Sequence, residues 1–411
     1  MTTVQVLVDG PDVPILVGQA HFTRRRGQVS TTFLYDPDYL ISGGVSIDPA
    51  LPLISGAQYQ EGLIRAFADG APDRWGRGLI EKAERLRARD EGRAPRRLDD
   101  VDFLLGVSDN TRQGALRYRL TGDERFLGYT AHVPKLISLP GLLRASDELA
   151  AHDDASEAVK RLLDTGTTGL GGARPKASVR LDDGALAIAK FPHPGDRWDV
   201  MAWEATALGV MEAAGIRVPE RQLRKVGDRS VLILRRFDRT STGERIGYIS
   251  ALTALSSSDG DRRDYAEIAE SLRDLSRSPR QDHHELFNRV VASVALGNTD
   301  DHARNHGLLR DRGGWSLSPA FDVNPNPDPW RTRATTIMGA DGLPDEAESL
   351  LALAAECSLS LAQARERIAQ TCRAVGAWKQ AARSNGVSSR EVAMMAEGIE
   401  PRLSALRAQI G

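Results

Sequence analysis

The segment GNTDDHARNHG (297–307) sets two adjacent aspartates, two histidines and two asparagines between apolar stretches. Asp300 and Asn305 stand in a D-x-x-x-x-N relation, and Asp322 follows in LSPAFDVNP (317–325). In phosphoryl transfer an aspartate orients and deprotonates the acceptor hydroxyl, while an asparagine and a second aspartate hold Mg2+ against the nucleotide phosphates. The chain has that order of base, amide ligand and carboxylate ligand. Counting from Asp301 shortens the spacing to Asn305 by one, so the pattern assigns the base to Asp300. Asp301 is then a neighbouring polar residue, solvent-facing or bonded within the loop. The competing chemistry is a transition-metal site built from His302, His306, Asp300 and Asp301, with His283 and His284 nearby in sequence. Imidazole and carboxylate ligands suit zinc, manganese or iron, but no HExxH-type spacing defines a geometry.

Two further features belong to the same chemistry. TTGLGGARPK (167–176) is glycine-rich, and glycines let backbone amides approach a phosphate closely. It lacks the GK[ST] of a P-loop, and it precedes a hairpin instead of opening a helix. In LAIAKFP, period-two alternation puts Leu186, Ile188 and Lys190 on one strand face, where the ammonium can reach phosphate oxygens as a point charge. Lysine occurs only at 82, 135, 160, 176, 190, 225 and 379 in an arginine-dominated chain, so a lysine in an apolar strand invites a chemical reading. Such a lysine needs a carboxylate to hold it. Glu204, in VMAWEATAL, supplies one; taken alone it reads as a solvent-facing helix residue.

The elements that position these groups can be read from periodicity. Residues 3–55 alternate short β-like runs with turn residues. Helical patterns cover 60–90 and 98–107, GALRYRL (114–120) is a strand, and another helix spans 142–164. The glycine-rich segment leads into a hairpin of ASVRL and ALAIAKFP. A helix over 199–214 and a hairpin over 220–238 follow. Beyond 239 the pattern is helical (261–276, 283–299, 346–356, 360–384, 389–409), interrupted by a short hairpin at 306–318. NPNPDPW (324–330) is a local low-complexity tract. The division is 1–125, an N-terminal subdomain; 126–238, a nucleotide-binding core with the glycine-rich loop; and 239–411, a helical lobe with the catalytic loop. The fold class is α+β, a two-lobed protein-kinase-like fold with a mixed N-terminal lobe and a mainly helical C-terminal lobe.

At 411 residues two or three subdomains are expected. Lys+Arg 54 against Asp+Glu 56 leaves a net charge of −2, which gives no global electrostatic case for nucleic acid or an anionic membrane. Only Cys357 and Cys372 occur, too few for a disulfide framework or thiolate metal site. With no secretory leader pattern and no spanning apolar run, a soluble cytoplasmic protein is expected.

At the residues quoted above, the sequence resembles the HipA family of bacterial type II toxin–antitoxin serine/threonine kinases. GGARPKASV is similar to that family's glycine-rich segment, AIAKFP to its nucleotide-lysine strand, LILRRFDR to its hinge, GNTDDHARNHGLL to its catalytic loop and LSPAFDV to its metal-binding motif. FLYDPDYL and FADGAPDRWGRGLI resemble its N-terminal subdomain. The resemblance implies an ATP/Mg2+-dependent kinase with Asp300 as base and Asn305 and Asp322 on Mg2+. It implies that Gly171, Gly172, Lys176, Lys190 and Glu204 serve the nucleotide phosphates. Phe237 and the backbone around Arg235 would hold the adenine, and His302 would be a supporting loop histidine. Asn298 stands where eukaryotic kinases place the histidine of HRD. Gly169, preceded by Thr167 and Thr168, occupies the position of a serine whose phosphorylation inactivates members of the family, and Arg235 replaces a common glutamate. A small helix-turn-helix antitoxin of HipB type, through which operator DNA is mainly contacted, is the implied partner. An aminoacyl-tRNA synthetase is the best-known class of protein substrate. A small-molecule kinase of aminoglycoside-phosphotransferase type and a catalytically silent nucleotide-binding partner of a repressor are the other readings.

Overall fold

The computed structural model describes residues 2–10, 12–128, 132–152, 155–166, 172, 174–311 and 314–410. The chain divides into two compact units, one of residues 1–195 and 238–249, the other of residues 196–237 and 250–411. Both mix helix and strand.

In the first unit β1 (Thr2–Val8), β2 (Ile15–Arg25), β3 (Gln28–Tyr35), β4 (Gln58–Glu61) and β5 (Arg117–Leu120) form one sheet in the order β4-β3-β2-β1-β5. Its neighbouring strands are antiparallel. Strand β4 lies beyond the 3–55 limit expected from the turn pattern, because QYQE carries little apolar signal. The sheet buries alternate residues. Phe22, Phe33 and Tyr118 surround Phe67 edge-on, with centroids 5.4–6.5 Å from its ring. The Gly18 backbone lies so close to β3 that a Cβ there would sit 2.2 Å from the Leu34 carbonyl oxygen, so only glycine fits.

Among the described residues this unit also carries the α-helices α1 (Pro37–Ile41), α2 (Arg65–Asp69), α3 (Arg74–Asp90), α4 (Asp100–Gly106), α5 (Leu139–Ala151) and α6 (Ser156–Asp164). The helix expected over 142–164 is two helices. His152 turns extended in a stretch of short polar residues that compete for the backbone, and Leu149, Val159 and Leu162 then fold together over Leu79 of α3. Strands β6 (Lys176–Arg180) and β7 (Leu186–Lys190) pair as the predicted hairpin, with Lys176 directly opposite Lys190.

Arg112 is fully buried among these elements. Its guanidinium donates to the carbonyls of Gly70, Leu104 and Val107 at 2.9–3.1 Å and lies over the Tyr118 ring. Burial lowers its pKa to about 10.

The second unit contains α7 (Val200–Ala213) and the hairpin of β8 (Arg221–Val226) and β9 (Arg229–Arg235). Strand β10 (Gly247–Ser250) lies where the chain passes back into this unit, leading to α8 (Ala251–Ala254). Then come β11 (Arg263–Asp264), α9 (Tyr265–Leu275) and α10 (Pro279–Leu296). The β12 (Gly307–Asp311) and β13 (Gly314–Leu317) hairpin follows, and β14 (Thr335–Thr336) pairs in parallel with β11. The C-terminal helices are α11 (Asp345–Glu356), α12 (Leu361–Val375), α13 (Trp378–Ser384) and α14 (Ser389–Ala408). The helix expected over 360–384 breaks at Gly376, after which Trp378 turns inward and is buried. From Leu286 to Leu296, α10 is buried at almost every position, which makes it the axis from which the Asp300–Asn305 segment departs. No described helix is long and apolar enough to cross a membrane.

Arg112→Met should lower the stability of the first unit by about 3 kcal/mol, because three buried carbonyls lose their donors. Urea denaturation of the purified protein checks this; an unchanged midpoint would show that the buried guanidinium contributes nothing.

Candidate active site

Helix α10 ends at Gly297 in a left-handed cap (φ 64°), as helices commonly do. The turn is also crowded: a Cβ at Gly297 would lie 3.1 Å from the Asn326 carbonyl oxygen. From there the chain runs through the polar segment under several constraints. The Asn326 amide donates to the Gly297 carbonyl (3.2 Å), and the Ala334 amide to that of Thr299 (2.8 Å). Thr335 Oγ1 donates to the Asp301 carbonyl (2.7 Å). Asn298, buried, accepts the Asn324 amide on its side-chain oxygen (3.1 Å), tying this loop to the segment that carries Asp322.

The two aspartates are separated by these constraints. Asp301 is bonded within the loop, to His306, and is not solvent-facing; it is also held from outside the loop, where Tyr265 Oη (2.5 Å) and Ser293 Oγ (2.9 Å) both donate to its Oδ2. His306 Nε2 lies 3.1 Å from its Oδ1. Burial alone would raise the Asp301 pKa, but His306, the Tyr265 hydroxyl and Arg333 outweigh it and hold the carboxyl well below the usual range. Asp300, one residue earlier, is exposed, and its backbone carbonyl receives Nδ2 of the buried Asn305 (3.1 Å). The adjacent residue therefore displays its carboxylate to solvent on a backbone that cannot drift.

Asn305 and Asp322 fit a hard divalent cation by donor chemistry. With Nδ2 of Asn305 engaged on Asp300, its amide oxygen is the end left to act as a ligand, and amide and carboxylate oxygens are what Mg2+ prefers. Asp322 is a non-glycine residue at φ 58°, an uncommon left-handed conformation that clusters at functional positions. Beside it, Phe321 packs on Phe237 with centroids 5.5 Å apart. So the second unit joins the Asp300–Asn305 loop, the Asp322 segment and Phe237.

The remaining predicted residues are placed as follows. Glu204 is buried in α7, not solvent-facing, because both sides of that helix are covered. Arg235 is occupied by Glu220, Nε to Oε2 2.6 Å. His302 is exposed. In the first unit, β7 buries Ala187 and Ala189 on one face and turns Leu186, Ile188 and Lys190, half-buried, to the other. Lys176 is buried, its Nζ 2.7 Å from Asp73 Oδ2 and 2.5 Å from the Gly172 carbonyl. Asp73 also caps α3 through Gly76. Two ammonium groups facing each other across a hairpin repel unless each has an anion, and Asp73 supplies one for Lys176. Gly171, Thr167, Thr168 and Gly169 lie outside the described residues.

Two of the imidazoles considered for a transition-metal site, His306 and His283, serve the structure instead. His306 faces Asp301, and both ring nitrogens of buried His283 lie within bonding distance of Ser358 Oγ and the Ala269 carbonyl. Among the described residues no three His, Cys, Asp or Glu side chains gather as a metal group.

With this geometry in place, comparison with known proteins decides the lineage: the sequence profile of the HipA-like C-terminal domain matches residues 168–379. The chain belongs to that family. HipA from the Shewanella oneidensis toxin–antitoxin complex with HipB and operator DNA shares the fold: TM-score 0.66, 15% identity, covering 99% of this chain and 96% of that one. A curated relative, the putative kinase Y4mE of Sinorhizobium fredii, is 25% identical over 181 residues. That match spans 38% of this chain and 41% of the relative's length. A Helicobacter pylori proinflammatory kinase, CtkA, aligns over 59% of this chain and 93% of its own at 15% identity, with a TM-score of 0.42.

Sequence reading missed the groups that hold this HipA-like loop. Ser293 leaves a trace, a lone hydroxyl in the apolar run VVASVAL, but Tyr265 and Thr335 leave none. Neither does the buried ion pair of Arg333 with Glu346 (2.9 Å), which Arg402 joins at 3.4 Å.

Asp301→Asn should destabilise the second unit by about 3 kcal/mol at pH 7, because it removes the charge that compensates buried polar partners. A depressed carboxylate pKa contributes stability above the unfolded value, near 4, and loses it as pH falls below that value. Denaturant melts at pH 7, 4 and 3 should therefore show the gap between parent and variant narrowing in acid. A constant gap would contradict the charged role of Asp301.

Proposed function

We propose that the chain is an ATP/Mg2+-dependent kinase that transfers the γ-phosphate to a serine or threonine hydroxyl of a protein. The observation that carries this reading is the division between the two aspartates. Asp301 is buried and bonded on all sides, while Asp300 is presented on a loop fastened through Asn298 to the segment of Asp322. A general base has to be reachable by the acceptor and positioned against drift, and Asp300 meets both conditions.

In this mechanism Asp300 accepts the proton of the attacking hydroxyl. Asn305 and Asp322 would hold Mg2+ through oxygen donors, and the bound cation supplies charge neutralisation of the phosphates. Lys190, half-buried on its face of the hairpin, contacts phosphate oxygens as a point charge. Phe237, supported by Phe321, and the backbone near Arg235 accept the adenine. Gly171 and Gly172 let the backbone approach the phosphates, and Lys176, fixed to Asp73, sets where that segment begins. His302 is a supporting group beside the base. Residues 126–238 and 239–411 act as the two lobes of a kinase, behind the N-terminal subdomain of 1–125.

By analogy with the HipA–HipB assembly, the partner is a small helix-turn-helix antitoxin that carries most of any operator contact, consistent with this chain's net charge of −2. The protein acts in the cytoplasm, and an aminoacyl-tRNA synthetase is the first acceptor to try.

Incubation with labelled ATP, Mg2+ and a bacterial lysate should label a discrete protein. Asp300→Asn should reduce that labelling at least about a hundredfold while leaving stability within about 0.5 kcal/mol, since the side chain is exposed. If Asp300→Asn labels as well as the parent, the base is assigned wrongly.

A further inference from the structure

Past Asn324 the tract NPNPDPW has no part in the chemistry above, yet the loop that runs on from it to Ala334 is tied down at several points. Its feet are Asn326 and Ala334, whose amides donate to the carbonyls of Gly297 and Thr299, flanking Asn298 and ending one residue short of Asp300. Between them the Asn326 side chain accepts the Asp328 amide and the Asp328 side chain accepts the Trp330 amide, both at 2.9 Å. Arg402 Nη2 donates to the Pro329 carbonyl (3.3 Å), and Arg333 is buried on Glu346. The backbone of α14 meets the loop so closely that a Cβ at Gly398 would lie 2.4 Å from the Asn326 carbonyl oxygen.

All this order displays a side chain that touches little. Trp330 is 83% exposed, and Arg331 beside it is exposed too. Tryptophan and arginine dominate binding hot spots, and here a tied-down loop holds the two side by side in solvent. Trp330 is four positions before Ala334, so its backbone stands within about 14 Å of that foot, and thus close to the residue preceding Asp300.

We propose that Trp330 and Arg331 dock the protein acceptor, the indole taking an apolar side chain and the guanidinium an acidic one, a few residues from the phosphorylated hydroxyl. This rests on the kinase reading and names its substrate class: an acceptor segment with an apolar residue and a carboxylate near the serine or threonine. The charge follows from Arg331, since a basic acceptor would be repelled there. The register follows from the feet, because a segment seated on Trp330 is held at a fixed separation from Asp300.

The test uses the full-length parent, Trp330→Ala, Arg331→Glu and Asp300→Asn on an oriented library of peptides with a central serine or threonine, with MgATP affinity measured in parallel. The parent should prefer peptides with an apolar and an acidic residue within about five positions of the acceptor. Trp330→Ala should lose the apolar preference and raise KM at least tenfold, and Arg331→Glu should exchange the acidic preference for a basic one, with MgATP affinity unchanged in both. The proposal is overturned if both variants keep the parent's preferences, if Trp330→Ala loses MgATP affinity in step with labelling, or if it only converts a self-associated protein to monomer. If the parent labels no peptide above Asp300→Asn, the kinase reading itself fails and this inference with it.

Discussion

The arrangement of the second unit depends on one buried carboxylate. Asp301 receives Tyr265 from α9 and Ser293 from α10, faces His306 at the far end of its own loop, and has its carbonyl held by Thr335 of β14. An ionised carboxylate out of water is costly unless each oxygen is satisfied, so these elements are bound to meet around it. Once they do, the backbone on either side is fixed. The residue before it, with its side chain directed elsewhere, becomes a displayed acid.

A second buried charge group extends the same logic. Glu346 of α11 lies between Arg333 and Arg402 of α14, and Arg333 leads directly to Ala334 and Thr335, which grip the backbone of Thr299 and Asp301. Stability and site geometry are therefore not separate properties here: the groups that keep the helical unit folded also hold Asp300, Asn305 and Asp322 in register. In the first unit Lys176 and Asp73 play a comparable part, fastening the start of the β6 hairpin to the cap of α3. The arginine-dominated composition makes this lysine conspicuous, and its partner is a structural aspartate.

Much of this was legible in the sequence, for physical reasons that differ by feature. The β6–β7 and β8–β9 hairpins announce themselves by alternation around DDG and VGDR. Helix α10 is legible from its long apolar run closed by a glycine. The order of Asp300, Asn305 and Asp322 is legible because spacing survives in one dimension. What spacing does not carry is burial. Glu204 looked solvent-facing because a single acid in a helix usually is, but α7 is covered on both sides. Asp301 looked incidental because its partners, Tyr265 and Thr335, are 36 and 34 residues away along the chain. The ends of α5 at Ala151 and of α12 at Val375 escaped because helical periodicity continues past them.

The central claim is that neighbouring aspartates divide the work, Asp301 holding the loop and Asp300 serving the reaction with Asn305 and Asp322. A crystal structure of the protein with a non-hydrolysable ATP analogue and Mg2+ tests it most directly. The account predicts metal density at about 2.0–2.2 Å from the Asn305 amide oxygen and an Asp322 carboxylate oxygen, with Asp300 open toward the acceptor side and Asp301 still bonded to Tyr265. Metal bound instead to Asp301 or His306 would contradict it.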